Sequence, residues 1–256
     1  TGTSYSSGGV SGAFTMRTSD AGHGTSTSGA MTLSTGYSTS GGSGVISIAS
    51  GIATGGAGGA VTMSVGEGDT GSGGDLNLAA GKSAVNGGMV NLYAGVGSAH
   101  TGGAIAIASG EGTGTSSGTV VIRSSNAGSA GGSGKLVFSS GTAKGGNSGS
   151  LYIGSGAATG GRGGRIALVV GSGTSGVGGS FTTYAGRSTV TTGGSVRIAS
   201  GEGTATSSGA ITIRSINSGA SGVSGMLIFS SGTSKSGNSG AIELGTGAAT
   251  AGRAGM

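Results

Sequence analysis

The sequence predicts an all-β chain, a parallel β-solenoid or flattened β-helix with repeats of about 15 residues. Three observations lead there. Large apolar residues alternate with small or polar ones in short runs. The alternation returns about every 15 residues along most of the chain. Glycine fills 67 of 256 positions, while proline, cysteine and tryptophan are absent. Length alone allows one large domain or two small ones. With only 7% charged and 4% aromatic residues, however, the chain lacks the side chains for a conventional thick core. Low charge and missing proline also argue against a solvated disordered tail. Collagen is excluded, because it needs proline and a strict glycine triplet.

Residues 1–12 read as a partial repeat, and sixteen complete repeats follow from Ala13 to Gly255. Most have 15 residues, with extremes of 14 and 17. Val45–Gly59 reads VISIASGIATGGAGG, and Ala60–Gly74 reads AVTMSVGEGDTGSGG. Counted from the first residue of each repeat, position 2 is always large and apolar, as at Phe14, Ile46, Val120, Leu136 and Ile242. Position 4 is the same, as at Met16, Ile48, Ile107 and Phe229, with Thr183 the one exception. Position 6 is Ser, Thr, Ala or Val. A period of two puts these three positions on one face of a strand. Nothing recurs at helical spacing, and glycine disfavours a helix throughout.

The second half of each repeat holds mainly Gly, Ala, Ser and Thr. It reads as a second wall lying close to the first, with glycine supplying positive-φ corners. Isolated five-residue strands are unstable, so the expectation is a stack of layers about 4.8 Å apart. Absence of proline suits a ladder in which every layer donates N–H groups to the next. On this reading residues 1–256 form a single continuous repeat array. Its ends carry no cap, and Met256 starts a further repeat. Uncapped edges invite edge-to-edge pairing. The expected partner is therefore the chain itself, associating end to end and laterally into a filament.

A longer period lies above the short one. Ala104–Gly164 and Ser195–Gly255 align without a gap, with 38 of 61 positions identical. ASGEGT at Ala108–Thr113 recurs at Ala199–Thr204, and Arg123 recurs as Arg214. Duplication along an open array explains this better than a closed barrel.

Few residues suggest chemistry. The net charge of +5 comes from 12 basic and 7 acidic residues scattered singly. No basic cluster or aromatic stacking set accompanies it, which speaks against nucleic acid as a partner. No apolar run reaches the length of a membrane span, and no leader-like segment opens the sequence. G-x-G-like strings, as around Gly110, are expected by chance at this glycine content and precede no helix. His23 and His100 gather no further ligands. The aspartates Asp20, Asp69 and Asp75 are too few for a calcium-binding nonapeptide array. The expectation is a non-enzymatic chain with no catalytic, metal or cofactor site. None of the seven asparagines begins an N-x-S/T sequon. Glu67 with Lys82, and Arg187 with Glu202, share position 8 in adjacent repeats, where stacking would pair them.

Two candidate surfaces stand out. Threonine recurs at positions 10 and 12, at Thr113, Thr115, Thr159, Thr174, Thr189, Thr191, Thr204 and Thr206. Such a ladder suits cross-layer hydrogen bonding or O-glycans. T-x-T ladders on β-solenoids also resemble those of ice-binding proteins, which gives an alternative function. Asp69, Lys144 and Lys235 interrupt the column. Val121, Val137 and Tyr152 hold position 3 of three successive repeats, and Ile228 recurs in the place of Val137. An outward apolar strip marks lateral packing.

The form S-G-x-I-x-I-x-S-G-x-A-T at Ser43–Thr54, and GSLYIGSGAAT at Gly149–Thr159, resemble the Gly/Ser/Thr-rich β-solenoid repeat proteins of cell surfaces and extracellular fibres, algal or protist or bacterial adhesin-like. The resemblance covers the whole chain and transfers no functional residue. It implies an extracellular or cell-surface location, and a structural shaft of a filament, surface appendage or adhesin.

Overall fold

The structure is a computed structural model that describes residues 11–22 and 24–255. The partial first repeat up to residue 10, His23 and Met256 lie outside the described residues. Two units divide the chain, Thr1–Ser125 and Asn126–Met256.

Among the described residues there is no helix and no β-strand. The expected parallel β-solenoid is not formed. No two segments pair into a ladder, and the inter-repeat backbone hydrogen bonds on which a stack depends are missing from the described residues. The expected thin Ile/Leu/Val core is missing too, since no described residue is buried. Position 2 keeps roughly half its surface exposed, as at Ile46 (47%), and position 4 more, as at Ile107 (68%).

The physical reason lies in the composition. A repeat offers two large apolar side chains, each worth about 1.5–3 kcal/mol when fully buried. Against this stands the ordering of fifteen residues, of which about one in four is glycine and loses the most freedom. Layers of the same chain therefore do not hold each other by these contacts alone.

The 15-residue period is nevertheless expressed, as one bend per repeat. In twelve repeats the chain bends across positions 10–12, for example at residues 54–56, 113–115, 159–161 and 204–206. The 14-residue repeat Asp75–Gly88 bends at residues 84–85. The two 16-residue repeats bend at 129–131 and 220–222, one residue later, so the extra residue is taken up before the turn. Between bends runs the irregular but alternating segment that carries positions 2, 4 and 6.

After the bend the chain returns to its own repeat. In fifteen repeats the final glycine comes to rest against the position-6 side chain. A Cβ on Gly118 would sit 3.3 Å from the Cβ of Ser109, and one on Gly149 would sit 3.4 Å from that of Ser140. This explains why position 6 is small and why the last residue is glycine. The close wall expected from the sequence is thus a contact within one repeat, between position 6 and a glycine backbone.

Candidate functional site

The hydrogen bonds and close backbone approaches of the repeats gather in the loop formed by positions 7–15, which occurs in two forms. In the closed form the amide of the last glycine donates to the carbonyl of position 7. Gly88 donates to Gly81 at 2.9 Å and Gly103 to Gly95 at 2.9 Å. Gly118 donates to Gly110 at 3.0 Å, Gly194 to Gly186 at 2.8 Å, and Gly209 to Gly201 at 3.0 Å. In the open form the same glycine reaches position 6 without making this bond.

Position 12 separates the two forms. The closed loops carry Asn86, His100, Thr115, Thr191 and Thr206 there. All eight open loops of 15-residue repeats carry glycine: Gly41, Gly56, Gly71, Gly146, Gly161, Gly176, Gly237 and Gly252. Gly71, Gly176 and Gly237 adopt positive φ, at 83°, 79° and 118°. No other residue type in the described chain does so. In these three open loops glycine takes a left-handed turn that a side chain disfavours. The other five, at Gly41, Gly56, Gly146, Gly161 and Gly252, are open without a positive φ.

Position 9 then determines how the loop is filled. Gly112 and Gly203 lie so close to the carbonyl oxygens of Ser116 and Ser207 that a Cβ on either would overlap them. Gly97 has the same relation to His100. Where position 9 is serine, at Ser38, Ser83, Ser188 and Ser218 but not at Ser234, its hydroxyl takes over part of the turn. Ser188 Oγ accepts from the amides of Val190 (3.3 Å) and Thr191 (3.0 Å), and it shares a hydrogen bond with Thr191 Oγ1 at 3.1 Å. Ser38 and Ser83 accept from Gly41 and Val85 at 3.1 and 3.2 Å. These are the local side-chain to backbone bonds that serine prefers in turns.

The structure places each sequence-predicted residue as follows. Thr113, Thr159, Thr174, Thr189 and Thr204 each open a bend, and Thr115, Thr191 and Thr206 end one. All eight are exposed, and the three T-x-T strings are the bends of three closed loops. They lie on turns, not along a sheet. Val121, Val137, Tyr152 and Ile228 are exposed by 64–92%. No sheet among the described residues aligns them as a strip. Glu67 and Lys82 form no ion pair, nor do Arg187 and Glu202. The one ion pair among the described residues joins Arg17 to Asp20 at 3.1 Å, exposed to solvent.

Sequence reasoning missed the division at position 12. Its signal is present in the sequence as the alternation of Gly-rich and Thr-containing loops, once the register of the bend is known.

The described residues contain no group of three or more acidic or histidine side chains able to hold a metal ion. No helix among them is long and apolar enough to cross a membrane. A broad, shallow concavity of about 490 Å³ lies over the bend of a single repeat between Thr35 and Ser43. Comparison with family models, with curated proteins and with solved structures returns no match.

Proposed function

We propose that the chain is a non-enzymatic structural protein, the repetitive shaft of an extracellular filament, surface appendage or adhesin. One observation carries this reading: in fifteen repeats the last glycine returns to the position-6 side chain, while no group of three or more acidic or histidine side chains able to hold a metal ion lies among the described residues. An enzyme or receptor concentrates its differences in one place. This chain distributes one local geometry over its described length. Its scarcity of charge and its uncovered apolar positions fit a chain whose partners are further copies of itself.

Electron microscopy of native material, or of the purified chain at increasing concentration, tests the proposal. Fibres that lengthen with concentration are expected. Single particles of constant size at every concentration would overturn it. Thermal hysteresis in the same preparations separates the ice-binding alternative: ice growth is expected to be unaffected, because the T-x-T strings bend. A hysteresis that disappears with Thr189→Leu and Thr204→Leu would replace the shaft reading with an ice-binding one.

A further inference from the structure

The apolar face repeated along the chain is left uncovered by the chain that carries it. The accessible surface totals 25,049 Å². A compact monomer of 23.2 kDa exposes about 9,700 Å². Roughly 15,000 Å² that folding ordinarily removes from water therefore remains in contact with it. A standard protein interface buries about 1,600 Å², so one globular partner at one patch does not supply the cover. The cover has to run along the repeats and recur with them.

Resting on the shaft reading above, we infer that positions 2 and 4 form an intermolecular core with further copies of this chain, aligned parallel and in register. The area is the first argument for that occupant. Repeat length is the second. The repeats are not uniform: Ala13–Gly29 has 17 residues, Asp75–Gly88 has 14, and Thr119–Gly134 and Ala210–Gly225 have 16 each. Only an unshifted parallel copy matches every one of these lengths. A shift of 91 residues matches Ala104–Gly164 to Ser195–Gly255, but it sets the 14-residue repeat at Asp75 against the 15-residue repeat at Arg165.

Charge is the third argument. In-register copies place every charged side chain beside its own image, which is destabilising for like charges. Positions 2, 4 and 6 carry no charge in any of the sixteen repeats, and the whole chain has only 19 charged residues, 12 basic plus 7 acidic. The loop geometry leaves the face accessible, because the last glycine returns to position 6 and not to positions 2 or 4. The face is thus apolar, uncharged, open, and periodic in a way that only the same sequence reproduces.

The absence of cysteine makes a direct test possible. Ile107→Cys and Ile198→Cys place one thiol each at position 4 of repeats 91 residues apart. Oxidised under conditions of association, each variant is expected to give disulfide-linked pairs with its own kind. Pairs between Ile107→Cys and Ile198→Cys chains should form about tenfold more slowly, because a disulfide requires Cα atoms within about 7 Å. Sedimentation of the wild-type chain should give masses that are multiples of 23.2 kDa, and Ile107→Asp should return it toward the monomer, whereas the uncharged Ala106→Ser at position 3 should not. Equal rates of like and unlike cross-linking, or a monomer at all concentrations, would overturn the inference. Fibres without in-register cross-links would leave the shaft reading standing and remove this one. In-register oligomers of fixed small size would do the opposite.

Discussion

Arg165–Gly179 and Ser195–Gly209 have the same length, bends that open at the same position 10 and glycine at positions 7, 9 and 15, yet their loops differ. The first has Gly176 at position 12, with φ at 79°, and makes no closing bond. The second has Thr206 there and closes at 3.0 Å between Gly209 and Gly201. Their ninth residues show the same contrast. A Cβ on Gly203 would overlap the Ser207 carbonyl, while the nearest atom to one on Gly173 would be 3.8 Å away. In this pair a left-handed glycine at position 12 accompanies the loose loop, and a threonine the tight one.

The most damaging way to break this contrast is Gly203→Ala, together with its counterpart Gly112→Ala. Overlap with a backbone oxygen has no flexible side chain to relieve it, and overpacking costs about 1–3 kcal/mol. The amides of Gly209 and Gly118 should lose the whole protection of their closing bonds and exchange with deuterium about fivefold faster, since a net hydrogen bond is worth about 1 kcal/mol. Gly173→Ala, at the same position of the open loop, should leave its neighbours unchanged. Equal effects in both loops would remove the distinction between them.

A milder change acts on position 12 itself. Thr206→Gly should loosen the closed loop and speed exchange of the Gly209 amide about threefold, part of the roughly 1 kcal/mol of its hydrogen bond. In the open loop, Gly176→Ala should strain the left-handed backbone at a cost of about 1 kcal/mol. Nuclear magnetic resonance would show it as shifts confined to Arg165–Gly179. Unchanged spectra for either variant would disconnect position 12 from loop form.

Gly179→Ala probes the contact that both forms share. Its new methyl would lie 2.7 Å from Val170 Cγ1. The loop should be pushed off position 6, and the second change Val170→Ala should restore it. A failure of that rescue would mean that position 6 does not seat the final glycine. The smallest effect is expected from Ser188→Ala, which removes an exposed acceptor of two amides. About a twofold rise in exchange at Thr191, less than the full value of a buried bond, is the expected result.

How much of this was legible beforehand depends on what alternation encodes. The apolar residues at Ile46 and Ile48, or at Ile105 and Ile107, say which side chains share a face. They do not say whether the atoms covering that face belong to the same chain. The solenoid expectation supplied that cover from the next layer, and the structure shows none. The repeat length and small position 6 were readable, because steric needs of a single backbone dictate them locally, whereas the left-handed glycine corners expected in each repeat occur among the described residues only at Gly24, Gly71, Gly176 and Gly237. The threonines were aligned correctly by column, yet the column falls on the bend. Register along the sequence gives no curvature, so a ladder and a row of turns look alike. The proposed ion pairs of Glu67 with Lys82 and Arg187 with Glu202 fail for the same reason, since they presuppose stacked layers.

The closing bonds have a kinetic consequence. Each joins residues only seven or eight apart, as Gly81 and Gly88 or Gly201 and Gly209. Loops of about ten residues close in roughly 10–100 ns. Each repeat can therefore take its shape as it leaves the ribosome, independent of what has yet to be synthesised. Lengthening or shortening the gene by whole repeats does not slow that step. On the proposed self-association, the slow event is an encounter between molecules, whose rate follows the concentration of chains.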